Sequence, residues 1–222
     1  TSKFSTYDIN HKDSGAEMVL SLGRAILNLT PIIEKLKPDI ILSGFDIGAN
    51  FAASMIGAHM NIPVAHLEGG EVTGTIDEPI RHSMSKFSHM HFTSNKIAKQ
   101  RLIKMGENPK FVFNVGNSSL DEIIKIKKIS REKIFKKFDL DSSKPYIVIL
   151  QHTVTSEINS VESFIKETLN AVKELDIQTI LIHGNADAGG KRILKTIKNY
   201  NITQFSTLPF ETYINLLIHS SA

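Results

Sequence analysis

Short apolar runs alternate with amphipathic stretches along most of the chain. Each run is short enough for a buried strand, and most are followed by apolar residues at helical spacing. Repeated strand–helix alternation is typical of βαβ units, so the pattern predicts an α/β fold with parallel sheets and right-handed crossovers. The predicted strands are 39–43, 62–67, 89–93, 111–115, 146–150 and 177–182.

One polar segment, 139–145, divides this series. It contains turn-forming residues and directly precedes a fresh predicted strand. We therefore expect an N-terminal Rossmann-like domain over 1–140 and a partial C-terminal one over 141–222. Pro31 interrupts the first helical pattern, which predicts a kink or a break between two helices. The first residue is not Met and the last residues follow an apolar helix, so we expect both domains to be truncated.

Composition narrows the class of protein. The net charge is only +3, and the lysine-rich segment 125–133 has no interleaved aromatic residues, which favours a solvated helical surface over nucleic-acid binding. The absence of cysteine excludes disulfides, thiolate zinc sites and cysteine nucleophiles. We see neither a signal peptide nor an unbroken apolar run of about 18 residues, so we expect a cytoplasmic protein without a membrane helix.

The segment 66–81 carries the densest polar chemistry in the chain. It lies between a predicted strand and a predicted helix, at the sheet edge where α/β proteins bind ligands. It contains one histidine, four carboxylates and three glycines. This content exceeds what an ordinary connection needs and makes an enzyme the leading interpretation.

Three carboxylates and one imidazole are the candidate catalytic groups. Asp46 and Glu68 each follow a strand, Asp77 begins the next helix, and His66 precedes Glu68 by two residues. Grouped carboxylates acquire different pKa values, which suits acid and base catalysis. Structural alternatives exist: Asp46 and Asp77 could cap helices, and His66 could be an ordinary core histidine. Glu68 has no such alternative.

Three glycines in this loop predict unusual backbone geometry or a close approach of ligand; they are Gly69, Gly70 and Gly74. The spacing of the histidine and carboxylates matches no zinc pattern, so we expect no metal and no cofactor. In the second half, His152 follows strand 146–150, and the glycine-rich segment 183–190 precedes a helix, which is typical of an anion site. This segment matches neither a dinucleotide-binding motif nor a P-loop.

The run from His66 to His82, His-Leu-Glu-Gly-Gly-Glu-Val-Thr-Gly-Thr-Ile-Asp-Glu-Pro-Ile-Arg-His, closely resembles the hydrolysing UDP-N-acetylglucosamine 2-epimerases of sialic-acid and legionaminic-acid biosynthesis. The segments 151–155 and 185–191 resemble two further parts of that family, in the same order. The resemblance covers nearly the whole chain.

This resemblance implies a glycosyltransferase-B fold that converts UDP-GlcNAc to ManNAc and UDP in a homodimer or homotetramer. By analogy Asp46, Glu68 and Asp77 are the catalytic carboxylates. The residues expected to bind the substrate are His66, Gly69, Gly70, Arg81, His152 and Asn185. Two departures concern the substrate: Ile47 follows Asp46 where the family usually has arginine, and Thr153 follows His152 where it usually has proline.

Four alternatives remain open at this point. The enzyme could act on a UDP-diacetamido-trideoxyhexose, or it could be a non-hydrolysing epimerase that releases UDP-ManNAc. A glycosyltransferase of the same fold would need an acceptor. A module that only binds nucleotide sugars would perform no chemistry.

Overall fold

The computed structural model describes residues 13–184 and 187–222. These residues divide into two compact units, and the division in the chain falls between Leu120 and Asp121. Each unit contains a parallel sheet with helices in the connections. The predicted α/β class with parallel sheets is therefore confirmed.

The first unit is a four-stranded sheet in which strands adjacent in sequence are also adjacent in space. All three strand pairs are parallel, so the connections cross over through helices. The strands are β1 (Ile41–Gly44), β2 (Val64–Leu67), β3 (Met90–Thr93) and β4 (Val112–Asn114). The helices are α1 (Gly15–Leu36), α2 (Gly48–His59), α3 (Asp77–Phe87), α4 (Lys96–Lys104) and α5 (Ser118–Lys125), the last of which runs into the second unit.

The second unit is a three-stranded parallel sheet in the order β5, β6, β7. Its apolar side chains form two buried clusters. Residues of α7 and α8 pack against the sheet in one cluster, and residues of α6 and α9 pack against the sheet in the other. The strands are β5 (Tyr146–Leu150), β6 (Gln178–Ile182) and β7 (Thr203–Phe205). The helices are α6 (Arg131–Phe138), α7 (Val161–Leu175), α8 (Gly190–Ile197) and α9 (Phe210–His219).

The first helix differs from its prediction in two ways. Pro31 lies inside one continuous helix, so the predicted break is wrong. Among the described residues, α1 is also the one helix whose length and composition would allow it to cross a membrane, although we expected none. A core helix passes the same test, and α1 packs along α2 with Glu17 buried and paired to Arg24.

The lysine-rich segment is not one helix. Helix α5 ends at Lys125 and α6 begins at Arg131, with Ile134 and Phe135 buried in the second unit. Helix α6 packs against α9 within the second unit. The division between the two units therefore falls about twenty residues before the boundary expected from the sequence.

Candidate active site

The carboxyl ends of β1 and β2 place the two expected acidic segments side by side. Ser43 and Gly44 of β1 pair in register with His66 and Leu67 of β2. Asp46 follows β1 and Glu68 follows β2 directly, so both carboxylates lie at the same edge of the sheet. The sheet geometry therefore confirms the expected adjacency of these two segments.

Glu68 occupies an unusual backbone position. Its φ angle is +60°, a left-handed conformation that costs about 1 kcal/mol or more for a residue with a side chain. Its backbone N–H donates to Phe92 O at 2.8 Å, which ties the loop to β3. This conformation ends the extended backbone of β2, whose last residue is Leu67.

The Glu68 carboxyl group lies in an environment that favours its neutral form. Its Oε1 atom is buried and has no hydrogen-bond partner among the described residues. Burial, followed by repulsion from Glu71 and a smaller repulsion from Asp46, raises the pKa of Glu68, while Arg81 lowers it. A carboxyl group of this kind can give a proton as well as take one.

Arg81 organises the site from helix α3. It is buried, and it donates to the Asp46 carboxylate and, at 3.0 Å, to Glu71 O. One guanidinium therefore connects the segment after β1 with the loop after β2. The α2 N-cap position is Ile47, without a side-chain cap, so the alternative role of Asp46 as a helix cap is wrong.

Asp77 is the first residue of α3, and its carboxylate accepts from the Thr75 hydroxyl at 2.8 Å. Among the described contacts its side chain accepts from no backbone amide of the helix, so the alternative role of Asp77 as a helix cap is also wrong. The described contacts join Asp46, Arg81 and the Glu68 loop, but they include no direct contact between Asp77 and those groups. Whether the three carboxylates act together stays a prediction.

His66 is fully buried beneath the loop. Its Nδ1 atom lies 3.1 Å from the Ser85 hydroxyl, while Nε2 has no partner among the described residues. Burial, followed by repulsion from His91, Arg81 and His82, lowers the pKa of His66 to about 3. His66 is therefore a neutral imidazole at physiological pH.

Two glycines let the loop pack closely on the first unit. A Cβ atom at Gly69 would lie 2.8 Å from His66 Nδ1. At Gly70, where φ is +86°, it would lie 2.4 Å from Ala98 O. These glycines are required by close packing of protein on protein, and their predicted contact with substrate is untested.

Residues outside the predicted site hold the rest of the loop. The Glu71 carboxylate accepts from Ser94 Oγ and, at 2.6 Å, from Asn95 Nδ2, while Arg101 donates to Gly70 O. Glu78 accepts from the backbone N–H groups of residues 73 and 74, each at 3.0 Å. Local sequence spacing does not predict these partners, because most lie twenty or more residues from the atoms they bind.

A hollow lies at the carboxyl edge of the second sheet. Gln151, His152 and Thr153 line it with Gly184 and the start of α8, and its empty space is about 240 Å³ including the part open to solvent. A Cβ atom at Gly184 would lie 2.6 Å from Gln151 O, so glycine is needed there. Asn185 lies outside the described residues.

Comparison with known proteins identifies the family. The sequence matches UDP-N-acetylglucosamine 2-epimerases over residues 3–222. The chain belongs to this family. The resemblance noted in the sequence is thereby confirmed.

Two relatives and one solved structure illustrate how far the similarity extends. A UDP-N,N'-diacetylbacillosamine 2-epimerase (hydrolyzing) from Legionella pneumophila is 36% identical over 185 residues, which cover 83% of this epimerase-family chain and 49% of the relative. A UDP-N-acetylglucosamine 2-epimerase from Neisseria meningitidis is 30% identical over 218 residues, covering 97% of this chain and 58% of the relative.

The crystal structure of a UDP-GlcNAc 2-epimerase from Neisseria meningitidis bound to UDP-GlcNAc superposes with a TM-score of 0.75 at 21% identity. The match covers 91% of this chain and 58% of that one. It supports the predicted fold of the glycosyltransferase-B type. The chain thus spans about half the length of the family members it matches.

Proposed function

We propose that the protein to which this chain belongs is a hydrolysing UDP-sugar 2-epimerase that converts UDP-GlcNAc to ManNAc and UDP. The observation that carries this proposal is Glu68, with its left-handed backbone and a pKa raised by burial, beside the Asp46–Arg81 pair at the carboxyl edge of the first sheet. Family membership supplies the substrate class, and the acidic site supplies groups suited to the reaction.

The reaction needs proton transfers at carbon and oxygen. A base removes the proton from C2 while UDP leaves from C1, which gives 2-acetamidoglucal. Water then adds across the new double bond, with hydroxyl at C1 and a proton at C2 on the opposite face from the one lost. Acid and base groups with separated pKa values serve such steps, and Glu68, Asp46 and Asp77 are the proposed catalytic groups.

The sugar-binding contacts are proposed for the exposed side of the same loop. His66 and Gly69 support the loop from below, whereas Arg81 is already bound to Asp46 and Glu71 O. We therefore propose that Arg81 contributes mainly by orienting Asp46. We propose that His152 and Asn185 serve the nucleotide, as the resemblance implies.

A diacetamido sugar is the second candidate substrate. The relative from Legionella pneumophila carries that activity in its name together with the word hydrolyzing, and it is more similar to this chain than the UDP-GlcNAc 2-epimerase from Neisseria meningitidis. Ile47, which is exposed beside Asp46, offers an apolar surface where the family usually has arginine. A 6-deoxy sugar presents a methyl group that suits such a surface.

The deciding experiment incubates the intact protein with UDP-GlcNAc, and separately with a UDP-diacetamido-trideoxyhexose, in heavy water, followed by proton NMR. We expect free ManNAc or its diacetamido counterpart, with deuterium at C2. A retained UDP-sugar epimerised at C2 would establish the non-hydrolysing alternative. Binding without deuterium incorporation would overturn the proposal in favour of a glycosyltransferase or a binding module.

The Glu68→Gln variant tests the central group. We expect turnover to fall by at least about a hundredfold while UDP still binds, because the amide cannot exchange a proton with the sugar. The matched control is Glu122→Gln on the exposed face of α5, which should leave turnover unchanged. Wild-type turnover in Glu68→Gln would reject the assignment. Assembly as a homodimer or homotetramer and a cytoplasmic location stay predictions.

A further inference from the structure

Six residues other than glycine have a positive φ in the part of the chain that the structure describes. Four of them lie at or directly after the end of a helix, where this conformation is common; they are Lys37, Asn61, Asp139 and Asp176. The remaining two, Phe45 and Glu68, directly follow β1 and β2. The left-handed residues that no helix end explains therefore lie at one edge of the first sheet.

Phe45 and Glu68 are neighbours across this edge. Gly44 of β1 and Leu67 of β2 are register partners, and Phe45 and Glu68 are the next residues along each chain segment. Their backbones therefore lie about one strand spacing apart, roughly 4.8 Å. Both have a φ of +60°. For a bulky residue such as phenylalanine this value is a genuine outlier, and backbone strain of this kind is concentrated at functional sites.

Core packing does not account for the Phe45 ring. The residue is 51% exposed, and among the described residues the ring stacks on no other aromatic side chain. Glycine would adopt the same backbone conformation without strain. The ring therefore contributes less to the core than a buried phenylalanine does, at a position whose backbone favours glycine.

Ile47 shows the same kind of conflict on the other side of Asp46. It occupies the N-cap position of α2, where serine, threonine, aspartate and asparagine are favoured and isoleucine is among the poorest residues. Its side chain makes no cap and is 58% exposed. Asp46 is thus flanked by two exposed apolar side chains, each at a position where local structure favours another residue. Such conflicts are expected at functional sites.

The turn that carries these two side chains is fixed by hydrogen bonds within the first unit. Asn50 Nδ2 donates to Gly44 O, directly before Phe45. Arg81 donates to the Asp46 carboxylate, directly after it. The apolar side chains are therefore presented beside the acidic site in a fixed conformation, which lowers the cost of ordering them when a ligand binds.

We propose that Phe45 and Ile47 are specificity-determining residues that form an apolar wall beside Asp46 and favour a UDP-diacetamido-trideoxyhexose over UDP-GlcNAc. The 6-deoxy sugar carries a methyl group where GlcNAc carries a hydroxymethyl group, and its second acetamido group adds another methyl. A methyl group gains free energy when an apolar surface covers it, whereas a hydroxyl group loses its hydrogen bonds to water there. This inference rests on the proposed function for the class of substrate, and it states which of the two candidate sugars is preferred.

The first test measures binding in the intact Glu68→Gln protein, in which turnover should be strongly reduced. Isothermal titration calorimetry gives the Kd of the UDP-diacetamido-trideoxyhexose, of UDP-GlcNAc and of UDP. We expect the diacetamido sugar to bind about tenfold more tightly than UDP-GlcNAc, because one or two methyl groups on an apolar surface discriminate by about that factor. Equal affinities, or a preference for UDP-GlcNAc, would overturn the inference.

Two substitutions then assign the preference to the wall. Phe45→Gly and Ile47→Thr each introduce a residue that the local backbone favours, so both variants should fold, and thermal unfolding checks this. We expect each to reduce the preference, and the double variant to bind both sugars equally, with an unchanged affinity for UDP. The control is Ile124→Thr on the exposed face of α5, which should keep the preference.

Two results of this series would reject the assignment to Phe45 and Ile47. One is a preference that persists in the double variant. The other is a loss of affinity for UDP in the double variant, which would indicate a structural role of the turn.

The second test compares turnover of the two sugars by wild type and the double variant, using proton NMR. We expect kcat/KM to favour the diacetamido sugar about tenfold in the wild type and to favour neither sugar in the double variant. The same kcat/KM ratio in both proteins would overturn the inference. If the wild-type protein turns over neither sugar, the proposed function fails, while the binding measurements still decide the inference.

Discussion

Acidification should destabilise the first unit through His66. In the folded protein the pKa of His66 is about 3, mainly because the ring is buried, whereas in the unfolded chain it returns to about 6.5. At a pH between these two values, the unfolded chain therefore binds a proton at His66 and the folded protein does not. Neutral His66 makes its full contribution to the free energy of unfolding above the pKa that it has in the unfolded chain. This contribution is lost progressively as the pH falls from about 6.5 toward about 3.

The magnitude follows from the proton uptake of the two states. Between pH 7 and pH 5 the unfolded His66 gains most of one proton and the folded His66 gains almost none. At about 1.4 kcal/mol per pH unit, the free energy of unfolding should fall by about 2 kcal/mol from this residue alone. That loss is a substantial share of the stability of a typical domain.

Urea unfolding followed by circular dichroism at pH 7 and pH 5 measures the effect. The His66→Gln variant cannot take up the proton, and glutamine can still form a hydrogen bond with the Ser85 hydroxyl. The fall in its free energy of unfolding between pH 7 and pH 5 should therefore be smaller than that of the wild type by about 2 kcal/mol. Contributions from all other residues cancel in this comparison. His59→Gln on the exposed end of α2 is the control. Equal pH dependence in wild type and His66→Gln would refute the reasoning.

Two further substitutions test how the loop is held. Gly70→Ala should destabilise the protein by about 2 kcal/mol or more, because its φ is +86° and the new Cβ would lie 2.4 Å from Ala98 O; thermal unfolding measures this. Arg81→Gln should lower the free energy of unfolding by roughly 3 kcal/mol and should also lower turnover, because it leaves the partly buried Asp46 carboxylate unpaired. Urea unfolding measures the first effect and the NMR assay measures the second.

Matched controls exist for both substitutions. Gly74 also has a positive φ, of +68°, but open space surrounds its Cβ position, so Gly74→Ala should cost only about 1 kcal/mol. Lys125 pairs with Glu122 on the surface, so Lys125→Gln should cost less than about 1 kcal/mol. An equal loss of unfolding free energy in the Gly70 and Gly74 variants would contradict the packing described for the loop. An equal loss in the Arg81 and Lys125 variants would contradict the pairing of Arg81 with Asp46.

The sequence predicts the main elements because burial imposes periodicity. Strand β2, for example, has three fully buried residues, so it is apolar apart from His66. Strand β7 is short, with an exposed first residue and no fully buried one, and it has no apolar run to detect. The buried face of α6 was missed for a related reason: lysines dominate a segment that was predicted as a solvated helical surface, although Ile134, Phe135 and Phe138 are buried.

The candidate site is predictable only where one strand or one turn determines it. Parallel strands bring Asp46 and Glu68 to one edge, and this followed from the pattern. The partner of Asp46 did not, since Arg81 lies 35 residues away and local spacing instead suggested a helix cap. The sequence also does not predict the left-handed backbone of Glu68, because such a conformation is expected of glycine and not of glutamate.

Among the described residues, the groups that hold the acidic loop belong to its own unit. Arg81 and Arg101 bind backbone carbonyls on the loop, Glu71 anchors it to the segment before α4, and Glu68 N–H ties it to β3. A site fixed in this way keeps its geometry without help from a ligand, which is what preorganised acid–base groups require. The strain at Glu68 can therefore be maintained without a bound ligand.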